Sequence, residues 1–222
     1  MRIVTFGDSV TEGCFDIIRI RGELEILRDP GNAYGAKLIK RLQKAYPDKT
    51  FELVNTGISG NDTHQALERF DADVLQRDPD LVITCFGLND AGQNDVTGYA
   101  DRMERMFAAL EERGIPTVFM TPNMMNKYVT LDTDDVLLET ARSCAHMQDE
   151  GRLDVYLDEA KVRAAKHGVI VVDAYAEWKR LESYGVDTTA LLCNHINHPS
   201  RKMHNLFADM LFAALQANNL IK

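Results

Sequence analysis

The chain is 222 residues long, 45% hydrophobic and 27% charged, an ordinary globular mixture with enough apolar material for a sizeable core. Its 34 acidic residues against 25 basic ones leave a formal net charge of −9, which argues against nucleic acid or an anionic membrane as a general partner, because both demand a basic face. No apolar run approaches the roughly 18 residues of a membrane span, and residues 3–6 are too short for a signal-peptide core.

Residues 2–7 (RIVTFG) read as a buried strand that stops at Gly7. Residues 14–31 follow as a long connecting loop carrying Arg19, Arg21 and Arg28. Tyr34, Leu38, Leu42 and Ala45 share one helical stripe that ends before Pro47. Residues 51–55 form the second strand, and Leu67, Phe70 and Val74 mark a helix over about 63–75. Residues 80–87 are nearly all apolar, as a strand covered on both faces should be. Met103, Phe107 and Leu110 then define a helix over about 98–113, and residues 116–121 a fourth strand. A loop over 122–131 offers Met124, Met125 and Tyr128. Helices over about 133–147 and 153–167 lead to a fifth strand at 168–175, a short helix around Trp178 and Leu181, and a last helix over about 200–217. This alternation predicts a five-stranded parallel sheet with helices on both faces, in one domain spanning 1–222. Ligands of such sheets bind beyond the carboxyl ends of the strands, here the loops after residues 7, 55, 87, 121 and 173. The loops 14–31 and 122–131 are expected to overhang that rim.

Chemistry-bearing residues collect at these ends. Gly7-Asp8-Ser9 follows the first strand, NTGISGND with Gly57 and Gly60 the second, and Gly87-Leu88-Asn89-Asp90 the third. NHINHPS, with His195 and His198, precedes the last helix. A serine hydroxyl becomes an effective nucleophile when a base, usually histidine, takes its proton. Attack on an ester carbonyl builds charge on oxygen, which backbone N–H groups and an asparagine amide can hold. Ser9 and Gly60 offer such N–H groups and Asn89 its side-chain amide. Asp8 and Asp90 read as turn or N-cap acceptors, and Gly57 as backbone geometry.

The four blocks, in this order, resemble those of the SGNH hydrolases, the GDSL-type esterases and lipases, over positions 7 to 199. That resemblance implies a flavodoxin-like three-layer α/β/α sandwich. It also implies Ser9 as nucleophile, His198 as base, and the Ser9 N–H, Gly60 and Asn89 as oxyanion-hole donors, with no metal or organic cofactor. The G-x-S-x-G elbow of the α/β-hydrolases fits less well, since Thr11 stands where its second glycine belongs. One position departs from the family. An aspartate usually precedes the base by three residues, and here that residue is His195. A histidine brings no carboxylate, so orienting His198 falls to a backbone carbonyl, to His195 or Asn194, or to Asp173 at the end of the fifth strand.

His195 and His198 on an irregular segment do not make a zinc pattern of any strength, and no third ligand is marked. NTGISGND lacks both the dinucleotide spacing and a phosphate-loop lysine. His64, His146, His167 and His204 fall in helical stretches and read as surface or partly buried fillers. Cys14, Cys85, Cys144 and Cys193 lie far apart without a CxxC pair and read as free thiols of a reducing compartment, so a soluble cytoplasmic chain is expected. The expected activity is that of a serine ester hydrolase removing a short acyl group, such as acetyl from a carbohydrate, with a small-molecule ester as its partner. A thioesterase or acyltransferase of the same family is the alternative, and a non-catalytic binding protein on the same fold is the rival class. A homo-oligomer is left open.

Overall fold

Apolar strands shielded on both faces need every backbone group paired by a neighbour, and a parallel sheet supplies that. In the computed structural model, which describes residues 1–221, the strands are β1 (Arg2–Gly7), β2 (Cys14–Ile20), β3 (Glu23–Arg28), β4 (Glu52–Asn55), β5 (Leu81–Cys85), β6 (Thr117–Met120) and β7 (Ile170–Val172). Five of them form one parallel sheet in the order β4-β1-β5-β6-β7. β5 is buried along its whole length, as are Ile3, Val4 and Phe6 of β1. Numbered within the sheet, the order is 2-1-3-4-5, the flavodoxin-like winding, whose direction reverses between β1 and β5. Gly7 pairs with Cys85 at that reversal, so the crevice where ligands bind opens just beyond these two residues.

Helices cover both faces. α1 (Ser9–Glu12) is a single turn directly after β1. α2 (Tyr34–Ala45), α3 (Thr63–Asp73), α4 (Val96–Glu112), α5 (Leu138–Asp149), α6 (Arg152–Lys166), α7 (Ala174–Ser183) and α8 (Met203–Ala217) follow. α2 packs on α8, while α4 packs on α3 and α6, which gives the three-layer α/β/α sandwich. The stripes predicted for α2 and α4 are buried at Tyr34, Leu38, Leu42, Met103, Phe107 and Leu110. Ala45, the last residue of the α2 stripe, is exposed at the helix end. α3 starts at a capping box in which Asp62 accepts from the Gln65 amide and Gln65 accepts from that of Asp62.

Four expectations are corrected. Residues 14–28 are not a loop: β2 and β3 form an antiparallel hairpin closed by Arg21 (φ 53°) and Gly22 (φ 93°), a two-residue turn that demands positive φ at both positions. The strand expected at 168–175 is only Ile170–Val172, because the Asp173 side chain accepts from the Ala176 amide and starts α7. The helix expected from 133 begins at Leu138, after a tighter turn at Asp135–Leu137 capped by Asp134. His204 is fully buried, not a surface filler, and its Nδ1 accepts from the Tyr34 amide at 3.0 Å, capping α2 from across the layer.

Candidate active site

Ser9 is placed by the abrupt end of β1. The chain leaves the sheet at Gly7, and Asp8 turns it into α1 by accepting from the Val10 amide at 2.9 Å. Ser9 is then the first residue of that turn, and its own N–H is one of the amides that a helix start leaves without an intrahelical partner. Its hydroxyl meets His198 from the far end of the chain, with Oγ 3.0 Å from Nε2. Both residues are 5% exposed.

The segment carrying His198 is held by its own backbone and by Asn194. A bridge joins Leu192 to Pro199, and the Cys193 amide donates to the His198 carbonyl at 2.7 Å. Asn194 Oδ1 accepts from the amides of Ile196, Asn197 and His198 at 3.1, 3.0 and 2.9 Å. Asn194 therefore shapes the loop backbone and does not touch the imidazole. His195 adopts φ 52° and turns outward, its Nδ1 3.3 Å from Thr130 Oγ1 and 3.5 Å from Asp132. Asp173 is engaged by Lys161 at 2.7 Å and by the Thr121 hydroxyl at 2.9 Å. None of the three side chains considered for orienting His198 reaches its ring. What faces the ring is the backbone carbonyl of Phe15 in β2, which favours the protonated form although Nδ1 has no partner in hydrogen-bonding geometry. Burial is the larger influence and pushes the imidazole down to about 4, against the Phe15 carbonyl and the charge of Glu12.

Gly60 and Asn89 come from adjacent loops joined through one atom. Asn89 Nδ2 donates to the Asn61 carbonyl at 2.9 Å, which leaves its second amide hydrogen for a ligand. Gly60 adopts φ 80° with open space where a side chain would stand. Gly57 has a packing role, since a Cβ there would lie 2.2 Å from the Glu12 backbone nitrogen. Asp8 is the local N-cap acceptor expected, whereas Asp90 does not serve its own turn and reaches Thr63, 27 positions away at the start of α3. Asp90 Oδ1 takes both the Thr63 amide at 2.9 Å and its hydroxyl at 2.5 Å. Burial raises Asp8 to about 7 and Asp90 to about 6.

Around the site, Met124 and Met125 are 1% exposed and belong to the core instead of lining a pocket. Tyr128 is exposed, its hydroxyl bonded to Asp187 at 2.6 Å. Arg19 makes a two-point pair with Asp134, and Arg28 pairs with Glu12, while Arg21 sits exposed in the hairpin turn. Beside His195 lies a polar cleft of about 390 Å³, bordered by Asp16, Thr130, Asp132, Thr133 and Asn194. Among the described residues no group of three or more His, Cys, Asp or Glu side chains is arranged to hold a metal ion, and no helix is long and apolar enough to cross a membrane. Two contributors escaped the sequence reading. The Phe15 carbonyl carries no sequence signal. Glu12 does, because Ser9-x-x-Glu12 puts both side chains on one side of a helical turn.

Comparison with known proteins finds relatives of the chain and of its fold. The family model described as the GDSL-like Lipase/Acylhydrolase family matches residues 5–206. An acetylxylan esterase of Geobacillus stearothermophilus is 36% identical over 90 residues, which amount to 40% of this chain and 39% of that protein's length. An α/β hydrolase enzyme from the metagenome of Lake Arreo, Spain, superposes with a TM-score of 0.68 at 26% identity, over 97% of this chain and 94% of its own. A lipase/acylhydrolase from Enterococcus faecalis shares the fold, with a TM-score of 0.71 at 23% identity over 98% and 96% of the two chains.

Proposed function

The chain belongs to the GDSL-like lipase/acylhydrolase family, and from that premise we infer that it is a serine ester hydrolase with Ser9 as nucleophile and His198 as base. The observation that carries this reading is the contact of 3.0 Å between Ser9 Oγ and His198 Nε2, residues 189 positions apart that are both withdrawn from solvent. His198 Nε2 takes the hydroxyl proton as Oγ attacks the acyl carbonyl. Negative charge then collects on the carbonyl oxygen, opposite the Ser9 and Gly60 N–H groups and the free amide hydrogen of Asn89. The imidazolium returns its proton to the leaving alkoxide as the C–O bond breaks, which leaves the acyl group on Ser9. Water, deprotonated by the same nitrogen, releases the acid and restores the hydroxyl.

Depression of His198 to about 4 keeps it neutral, and so able to act as a base, throughout the physiological range. The imidazolium that must form is disfavoured by about 3 kcal/mol relative to a free histidine. The Phe15 carbonyl and the Glu12 charge both act against that penalty, in place of the aspartate absent from position 195.

For the substrate we favour a short acyl group, acetyl above all, on a polar leaving group such as a carbohydrate. The similarity to an acetylxylan esterase supports this, as does the polar cleft beside His195. Burial of Met124 and Met125 removes the apolar side chains that a long acyl chain would need in that loop. The test is hydrolysis of nitrophenyl acetate, butyrate and octanoate and of acetylated xylo-oligosaccharides, with free acid measured against acyl transferred to an added alcohol. Acetate should be released fastest and mostly as free acid, and Ser9→Ala should lower kcat by at least about 10³-fold. A Ser9→Ala protein as active as wild type overturns the assignment.

A further inference from the structure

Position 195 brings no carboxylate to the catalytic histidine, and the structure shows where a different one stands. Glu12 closes α1 three residues after Ser9, with its side chain 25% exposed. Each of its carboxylate oxygens is committed. Oε2 accepts from the Ser59 amide at 2.7 Å, and Oε1 accepts from Arg28 Nε at 2.6 Å. A third contact, from the Cys14 thiol to Oε2, is longer at 3.6 Å. One carboxylate thus ties three elements that meet at the site. α1 carries the nucleophile. The loop after β4 carries Gly60, one residue beyond Ser59. The hairpin carries the Phe15 carbonyl that faces His198.

The tie to Ser59 matters because Gly60 cannot hold itself in place. It adopts φ 80° without a side chain or any neighbour within 4 Å of where one would be. The Ser59 N–H belongs to the Ile58–Ser59 peptide, so its bond to Glu12 fixes the plane immediately before the Ser59–Gly60 peptide and leaves only the Ser59 dihedrals to set where the Gly60 N–H points. Building on the esterase reading above, we propose that Glu12 is a positioning residue for the reaction, aiming the Gly60 donor through Ser59 and supplying the negative charge that the His198 imidazolium requires.

The titratable and charged groups around His198 are few. Glu12 approaches from α1 with Arg28 of β3 bound to it, and its charge favours the protonated ring. Cys14 beside Glu12 is a neutral thiol, pushed up to about 11 by burial and by that same carboxylate. His204 approaches from α8 and stays neutral, driven down to about 3 by burial and by Lys37, His198 and Arg201.

The proposal makes two substitutions move one quantity in opposite directions. Glu12→Gln keeps an oxygen for the Ser59 amide and loses the charge. The acid limb of kcat/KM against pH, which reports His198 in the free enzyme, should then shift to lower pH by a few tenths of a unit or more. In the same variant kcat should fall about tenfold or more while KM for nitrophenyl acetate stays within about threefold. Arg28→Gln, at a half-exposed side chain, leaves the Glu12 charge unopposed and should move the limb to higher pH. It also gives a reading should Glu12→Gln fail to fold. Circular dichroism and the melting temperature establish that each variant is native. An unchanged limb in both variants, or a Glu12→Gln kcat within twofold of wild type, overturns the proposal. If Ser9→Ala is inactive while Glu12→Gln behaves as wild type, only the role of Glu12 is lost. If Ser9→Ala is fully active, the esterase reading itself fails.

Discussion

Asn194→Ala isolates what holds the histidine in place. The Asn194 oxygen takes three successive amides at 3.1, 3.0 and 2.9 Å, the last belonging to His198 itself. A neutral hydrogen bond contributes about 1 kcal/mol net, and partly buried donors left unmet cost somewhat more. Losing all three weakens the hold on this segment by about 2–3 kcal/mol, which corresponds to a drop in kcat/KM of roughly 30- to 150-fold if the released loop is inactive. The damage should stay local. The Leu192–Pro199 bridge and the bond of Asn123 Nδ2 to the Asn197 carbonyl at 2.8 Å survive, so the melting temperature should fall by only a few degrees. Steady-state kinetics on nitrophenyl acetate, paired with thermal unfolding, measure both. Asn194→Asp retains an acceptor for all three amides and should keep most of the activity. An alanine variant within twofold of wild type, or an aspartate variant as impaired as alanine, contradicts this role of the three hydrogen bonds.

Three further outcomes follow from the same geometry. His195→Ala should cost less than about threefold in kcat/KM, because the ring points to Thr130 and Asp132; a loss comparable to Asn194→Ala contradicts the outward orientation. Asp8, raised to about 7 by complete burial, binds its proton more tightly folded than unfolded. Its contribution is therefore fully present below the unfolded value near 3.8 and is lost as pH rises through about 7. His198 and His204, depressed to about 4 and about 3, act in the opposite sense, with stability present above 6.5 and lost as pH falls through those values. Comparing urea unfolding of Asp8→Asn with wild type from pH 4 to 8 cancels the histidines; the variant should gain on wild type by up to about 4 kcal/mol across that window, and parallel curves contradict the buried-acid account. Gly57→Ala places a methyl 2.2 Å from the Glu12 backbone nitrogen and should lower stability by more than about 2 kcal/mol together with activity; an unchanged melting temperature speaks against the close approach.

Much of the scaffold was legible in the chain itself. Runs such as LVITC in β5 are apolar because both faces of a parallel strand are covered, and the helical stripes around Leu38 and Phe107 mark faces turned to the sheet. The blocks carrying Ser9, Gly60 and Asn89 sit where strands end, so the sheet alone places them along one rim, while His198 follows α7 and reaches that rim through the loop before α8. The β2–β3 hairpin was missed because its residues from Asp16 onward are half-buried or exposed, and the alternation it does carry, Glu23-Leu24-Glu25-Ile26, lasts only four residues.

The groups that attend the histidine are set by the packing of distant segments. Every residue has a carbonyl, so the Phe15 oxygen at His198 is invisible in sequence and exists because a hairpin folds back over the site. The outward turn of His195 follows from a left-handed backbone that the three amides on Asn194 enforce, and the link between Glu12 and Ser59 spans 47 positions. Residue identity along a chain reports which groups can bond. Which of them do is set by directions and distances that arise when distant segments are packed together.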